Sequence, residues 1–234
     1  MRKFKKQPLT HAQINAIIHA AQQAPSSANM QPYSIIGITD PDRKKELARR
    51  SENPPIVECG YLFIFCADLY RLMETASEEE RVKMKSNLSF NYFYQMALVS
   101  SSIALQNANL AAESLGLGSV IIAGVTRALP QLERWLELPE LVIPIVGLAV
   151  GVPDQIPEQK PRLPQQAVFF EDHYTKDLKA DVEEYDRETM RYYTTRSSNS
   201  QKASWSGKNK KMLTADLPLD FWTDYVRGKG LDLR

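Results

Sequence analysis

Lys160-Pro161-Arg162 is where residue type and spacing point most directly to an anion. Proline fixes its own backbone, so the residues on either side can project the same way, as alternate residues of a strand do. Two cations on one side suit a phosphate, the arginine as a planar fork and the lysine as a point charge. Alone, the triplet also reads as a solvated basic loop. A second candidate is the small polar run Ser26-Ser27-Ala28-Asn29-Met30-Gln31, which by itself reads as a turn. A third is Ile122-Ala123-Gly124, the end of the stretch Glu113-Ser-Leu-Gly-Leu-Gly-Ser-Val-Ile-Ile-Ala-Gly124. There an apolar helix-like run meets two glycines and passes into a β-branched strand. Small residues at its end let another group approach the backbone closely; the plain alternative is a buried strand running into a turn.

Several chemistries have no residues to support them. No Gly-x-Gly-x-x-Gly follows a strand, no phosphate-cradling Gly-Lys-Ser/Thr occurs, and no Gly-x-Ser-x-Gly elbow is present. With three histidines and no Cys/His cluster, no metal centre is expected. Cys66 lies inside the apolar run Tyr61–Ala67, so it and Cys59 read as buried thiols rather than a disulfide or metal pair. An enzyme without these groups relies on a cofactor, which the protein orients and tunes. A net charge of +1 gives no global attraction to nucleic acid or to an anionic membrane, so local basic groups are judged singly. No apolar stretch reaches the roughly 18 residues a membrane span needs. The charged start Met1–Pro8 lacks the apolar core of a signal peptide, and the expected location is cytoplasmic.

The elements that must position these groups follow from periodicity. Thr10-x-x-Gln13 is a capping box, and Ile14, Ile17, Ile18 and Ala21 then form a helical stripe ended by Pro25. Tyr33–Thr39 reads as a strand, and Asp40-Pro41 opens a charged helix to Arg50. Tyr61–Ala67 is apolar at nearly every position, as a strand covered on both faces is. Ser86–Leu115 reads as one long helix, apolar around much of its circumference and therefore buried. At about 1.5 Å per residue it would run some 45 Å, which suits a dimer core. Ser119–Ala123 is a short strand, Leu129–Leu138 a short helix and Leu141–Val152 a strand. Beyond Pro153 the chain is extended to Pro164, helical over Lys176–Thr195, loop-like over Arg196–Lys211, and helical again over Pro218–Arg227. Alternating helices and strands imply a layered α+β or α/β domain.

In this order, Ala24-Pro-Ser-Ser27, Phe65-Cys-Ala-Asp68, Glu113-Ser-Leu-Gly-Leu-Gly118 and Lys160-Pro-Arg-Leu-Pro164 resemble the FMN-dependent nitroreductase family, and within it the oxygen-insensitive nitroreductase and NADPH–flavin oxidoreductase branch. The resemblance runs over essentially the whole chain. It implies an α+β fold, a central mixed or antiparallel sheet flanked by helices, in an intertwined homodimer with two FMN sites at the interface. It implies a core at 1–152 with a phosphate-clamp segment at 153–164, and a C-terminal extension, 165–234, that wraps the core or the partner. Lys160 and Arg162 then grip the FMN phosphate, while Ser26, Ser27, Asn29 and Gln31 lie near the flavin. Ile122, Ala123 and Gly124 bring backbone N–H groups to the ring edge. Arg2 stands near the flavin pyrimidine, and Asn53 occupies a place where relatives usually carry glutamine. Arg196, with Lys160, meets NADPH (or NADH). The implied activity is NAD(P)H-dependent reduction of a small-molecule acceptor (a nitroaromatic, a quinone or free flavin) by ping-pong hydride transfer. The family's opening signature, His-Arg-Ser-x-Arg-x-Phe, is matched only in its last part, Arg2-Lys-Phe4. That keeps a second expectation open, a non-catalytic or degenerate dimeric FMN-binding module.

Overall fold

The computed structural model describes residues 1, 3–196, 200–217 and 219–232. They form two compact units, Met1–Ile156 together with Asp220–Arg234, and Pro157–Leu219.

The first unit opens with α1 (His11–Gln22), and both arms of its capping box are made: the Thr10 hydroxyl accepts from the Gln13 backbone, and the Gln13 side chain accepts from the Thr10 backbone. After β1 (Tyr33–Ile38), Asp40 caps α2 (Pro41–Ser51) by accepting the N–H groups of Asp42 and Arg43 at 2.8 and 2.9 Å. A single turn, α3 (Pro55–Glu58), leads into β2 (Tyr61–Asp68). There follow α4 (Glu78–Leu88), α5 (Asn91–Ser114), β3 (Gly118–Ile122), α6 (Leu129–Leu136) and β4 (Val142–Gly151). The sheet order is β1-β2-β4-β3 and each neighbouring pair is antiparallel, so of the two expected arrangements the sheet takes the antiparallel one.

β2 is buried at every position after Tyr61, as an all-apolar strand requires. Successive side chains point to opposite faces. Leu62, Ile64 and Cys66 pack with Leu47 and Ala48 of α2 and Leu132 of α6. Phe63 and Phe65 pack with Ile17 and Ala21 of α1 and Ala104, Leu105 and Ala108 of α5. Both cysteines are free and buried. Burial pushes the Cys66 thiol up to about 12 and raises that of Cys59, so neither is a ready thiolate at neutral pH.

The long helix expected over Ser86–Leu115 is two elements. α4 ends at Leu88, Phe90 turns extended, and α5 begins at Asn91. No proline or glycine marks this break; the Ser89 hydroxyl donates to the Ser86 carbonyl instead, closing the last turn. Nor is α5 covered on all sides within the protomer. Tyr94, Ala97, Ala104, Leu105, Ala108 and Ala112 are buried, whereas Tyr92, Val99, Ile103 and Leu110 are exposed.

The chain's last helix, α9 (Asp220–Gly228), belongs to the first unit. Its Val226, and Leu231 beyond it, are buried with Leu141, Ile143 and Tyr94. The Leu141 N–H donates to the Lys229 carbonyl at 2.8 Å.

In the second unit, α7 (Lys179–Thr195) buries Tyr185, Thr189 and Tyr193 along one stripe. The segment expected as loop over 196–211 contains a helix, α8 (Trp205–Leu213), capped by the Ser204 hydroxyl. Its first turn is fixed from α7: Asp186 accepts both the N–H and the hydroxyl of Ser206, the Thr189 hydroxyl accepts the Trp205 N–H at 3.2 Å, and the Trp205 ring rests 5.9 Å from that of Tyr185. Among the described residues no helix is long and apolar enough to cross a membrane.

Candidate cofactor site

The residues expected to meet a ligand fall into three groups. The first is a corner of the first unit where the turn after α2 meets the end of β3. The Asn53 amide donates to the Ser51 carbonyl, and a Cβ placed on Gly124 would lie 2.9 Å from that carbonyl and 3.1 Å from the Asn53 amide nitrogen. Glycine at 124 thus lets the chain after β3 close on the Ser51–Asn53 turn. Arg127 and Glu52, paired at 2.6 Å, span the same junction from the outside. Ile122 is buried; Ala123 is exposed beside it. The structure therefore brings Asn53, Ile122, Ala123 and Gly124 together. Gly124→Ala is expected to cost about 1–3 kcal/mol through overpacking against backbone, seen as a lowered unfolding midpoint in denaturant.

The second group is the loop between α1 and β1. Ala28, Asn29 and Gln31 all take positive φ (49, 55 and 49°), a conformation that disfavours side chains and persists only where the surroundings impose it. Ser26 accepts the Gln31 N–H at 3.1 Å, and the Gln31 amide lies 3.3 Å from the Asn29 side-chain oxygen. The base of the loop is pinned by a buried carboxylate. Asp68, at the end of β2, takes the Ser34 hydroxyl and the Arg71 guanidinium at 2.9 Å, and its N–H donates to the Pro32 carbonyl. The same Arg71 nitrogen donates to the Tyr33 carbonyl at 2.7 Å. In the sequence this aspartate stands out only as part of the Phe65-Cys-Ala-Asp68 segment; its signal is a carboxylate ending an otherwise apolar strand. Ser26 and Ser27 border a cavity of about 350 Å³ whose other wall is the exposed face of α5, with Met96, Val99 and Ile103.

β1 and β3 are opposite edges of the sheet, with β2 and β4 between them. Three strand spacings of about 4.8 Å separate them by roughly 14 Å. The cavity that Ser26 and Ser27 border is lined from α5 and not from Ile122–Gly124.

The third group lies in the second unit. The Tyr185 hydroxyl donates to the Pro161 carbonyl at 2.9 Å and holds the Lys160-Pro-Arg162 triplet to α7. Lys160 reaches the ring of Tyr193, while Arg162 donates back to the carbonyls of Lys160 and Pro161. Arg196 stands over the rings of both Tyr192 and Tyr193. Lys208 of α8, in a segment whose composition reads as a loop, comes closest, 3.8 Å from the Tyr193 ring centre. A hydrogen bond with Lys160 draws the Tyr193 phenol below its ordinary value, the charges of Lys160 and Lys208 adding to it against the effect of burial. Arg2 lies outside the described residues. Among those residues no cluster of His, Cys, Asp and Glu is arranged to hold a metal ion.

An antiparallel sheet between helices makes the first unit an α+β domain, and the second unit carries a pinned cation triplet. The model of the Nitroreductase family matches residues 1–152, and that of the Nitroreductase family, C-terminal domain, matches residues 160–234. The chain belongs to the nitroreductase family. It is 37% identical to FMN reductase (NADPH) of Bacillus subtilis, over 99% of this chain and 94% of that protein. It is 36% identical to NADPH-flavin oxidoreductase of Vibrio harveyi, over 100% and 95% of the two chains. The solved structure of the NfrA1 nitroreductase from B. subtilis superposes with a TM-score of 0.92 at 35% identity, covering 99% of this chain and 95% of that one.

Proposed function

We propose that this chain is a cytoplasmic, homodimeric NADPH-dependent FMN oxidoreductase, a flavin reductase with nitroreductase activity. The observation that carries the reading is kinship along nearly the whole chain to FMN reductase (NADPH), with the Lys160-Pro-Arg162 triplet tied down by Tyr185. The residues present fit FMN. Two exposed cations on a proline-stiffened turn suit its phosphate, and Ala123, small and exposed beside the Gly124 junction, leaves room for a flat ring at the strand end. When bound, FMN supplies the two-electron chemistry, accepting hydride from NAD(P)H and reducing an electron-poor acceptor such as a nitroaromatic, a quinone or free flavin. The protein's share is holding and orienting. Lys160 and Arg162 bind phosphate. The pinned Ser26–Gln31 loop offers the Ser26 hydroxyl and the Gln31 amide to a ring, and Asn53 backs the Ala123-Gly124 corner. Arg196 recognises the dinucleotide.

The exposed apolar face of α5 supports the dimer. Tyr92, Val99 and Ile103 border the cavity at Ser26 and Ser27, and Leu110 is exposed farther along the same helix. A second copy laid on this face removes them from water and combines, across the interface, the two half-sites that the sheet holds apart in one protomer. Free, buried thiols suit a reducing compartment.

The test is the visible spectrum of the purified, FMN-soaked protein before and after anaerobic NADPH. Flavin bands that bleach, and recover when a quinone or nitroaromatic is added, are the expected result. Bound flavin that NADPH leaves oxidised, or no bound flavin at all, would replace the oxidoreductase with a binding module or a degenerate family member.

A further inference from the structure

Ala28, Asn29 and Gln31 hold positive φ without being glycine, and all three are exposed. Packing around their side chains therefore does not impose that conformation. It is imposed from the ends of the loop. The front end is α1, where Ala21 is buried; the rear end is Pro32-Tyr33, also buried. Tyr33 joins the two. Its hydroxyl donates to the Ala21 carbonyl at 3.4 Å, and its N–H donates to the Gln31 carbonyl at 2.8 Å.

Tyr33 is in turn held from the end of β2. Arg71 donates to the Tyr33 carbonyl at 2.7 Å. The Arg71 side chain is 55% exposed, and a long exposed arginine left alone samples many rotamers. Asp68, buried beside it, removes that freedom. Its carboxylate accepts the Arg71 guanidinium at 2.9 Å, the Arg71 backbone N–H at 3.2 Å and the Ser34 hydroxyl. The Asp68 N–H also donates to the Pro32 carbonyl at 3.0 Å. One residue thus fixes both backbone positions that close the loop. It does so from behind: Asp68, Arg71 and Ser34 line a cavity of about 420 Å³ that shares no residue with the one bordered by Ser26 and Ser27.

We propose that Asp68 is a positioning residue for the flavin: acting through Arg71 and Tyr33, it sets the Ser26–Gln31 loop in its binding conformation before the flavin arrives. The proposal rests on the flavin reading above. Strain of the kind held at Ala28, Asn29 and Gln31 is comparable, per residue, to a hydrogen bond or two, so the loop relaxes once its anchor weakens. A loop that reaches the binding conformation only part of the time lowers the apparent affinity by that fraction. Kinetics separate this from a lost contact. Losing a contact to the flavin speeds dissociation, whereas a loop left unset slows association and leaves dissociation alone.

The experiment is stopped-flow binding of FMN to the full-length apoprotein, followed by flavin fluorescence, in the wild type and in Asp68→Asn. Hydrogen exchange of the peptides spanning Ser26–Tyr33 is measured before flavin is added. Asparagine keeps the shape and drops the charge, and the half-exposed Arg71 is not stranded. Loss of one charge-assisted bond predicts association about tenfold slower, dissociation within about twofold, and faster exchange confined to this loop. The melting temperature should fall by at most about 6 °C. Arg71→Met should slow association in the same way, and the double variant should be no slower than either single one, as for two members of one relay. Unchanged kinetics, faster dissociation at an unchanged association rate, or additive losses in the double variant would overturn the proposal. So would exchange that rises throughout the first unit, which would make Asp68 a general support of the core. If neither protein binds FMN yet exchange rises at the loop in Asp68→Asn, the anchor stands and the flavin reading falls.

Discussion

Alanine at both Lys160 and Arg162 is expected to weaken FMN binding by about two orders of magnitude. A charge-assisted bond to phosphate contributes about 1.5 kcal/mol or more, and each tenfold in affinity is about 1.4 kcal/mol. Both side chains are exposed, so the lower end of that range applies. The loss should shrink with rising salt, because the wild-type affinity is screened while that of the double variant is not. Fluorescence titration of the apoprotein with FMN, at low and high ionic strength, measures both effects. Equal affinity in the double variant would remove the triplet from the flavin site. The single variants should differ. Among the described residues Arg162 hydrogen-bonds only to its own turn, so Arg162→Ala should act on the flavin alone, whereas Lys160→Ala should also weaken the dinucleotide through Tyr193.

Glu133→Ala should be the most destabilising of the substitutions considered, about 3 kcal/mol. One carboxylate on α6 holds α9 in two ways. It takes the ammonium of Lys229, nearly buried, at 2.6 Å, and the hydroxyl of Tyr225 at 2.5 Å. Removing it strands a buried cation whose remaining acceptor is the Leu138 carbonyl. Stranded buried charges cost roughly 3–5 kcal/mol, and the partial exposure of Glu133 places the value at the low end. In a domain of this size the melting temperature should fall by roughly 6–12 °C. Lys229→Met removes the charge and keeps the volume, and should cost less than about 1.5 kcal/mol. Equal losses in the two variants would mean that packing, not charge, seats α9.

The same region sets an alkaline limit. Burial pushes Cys66 and Tyr94 up to about 12 and raises Tyr225 further, the last helped by Glu133. These groups stay neutral in the folded chain at a pH where the unfolded chain ionises them. Their contribution is complete below the unfolded values, 9.0 for the thiol and 10.0 for the phenols, and is lost as pH rises through the folded ones. Melting temperature should therefore be level up to about pH 9 and fall with increasing slope beyond it.

Local chemistry made most of the core legible in the sequence. The Thr10 box, the Asp40-Pro41 start and the apolar run of β2 are decided by residues a few positions apart, and each appears within a residue or two of its expected bounds. What was missed depends on distant partners. α8 reads as a loop because Ser, Gly, Asn and Lys dominate it; Tyr185, Asp186 and Thr189 on another helix make it a helix. With α8 hidden, Lys208 had nothing to set it apart from the other lysines of its run. The break at Ser89-Phe90 was invisible for a similar reason, since no helix-breaking residue marks it. The site residues were legible as types, but which of them share one protomer's surface was not. The strand order β1-β2-β4-β3 separates Ser26–Gln31 from Ile122–Gly124, and strand order is not written in any single segment.

The return of α9 to the first unit also bears on how the chain is made. Val226 and Leu231 fill the cluster around Leu141 and Ile143, and the Leu141 N–H finds its acceptor at Lys229. A ribosome completes Met1–Ile156 and must then synthesise all of Pro157–Leu219 before the piece that closes that core exists. At about 5–20 residues per second, the nascent core waits on the order of several seconds with the Leu141–Ile143 surface uncovered. During that interval vectorial synthesis leaves an apolar patch open to chaperones, or to the wrong neighbour on a crowded polysome.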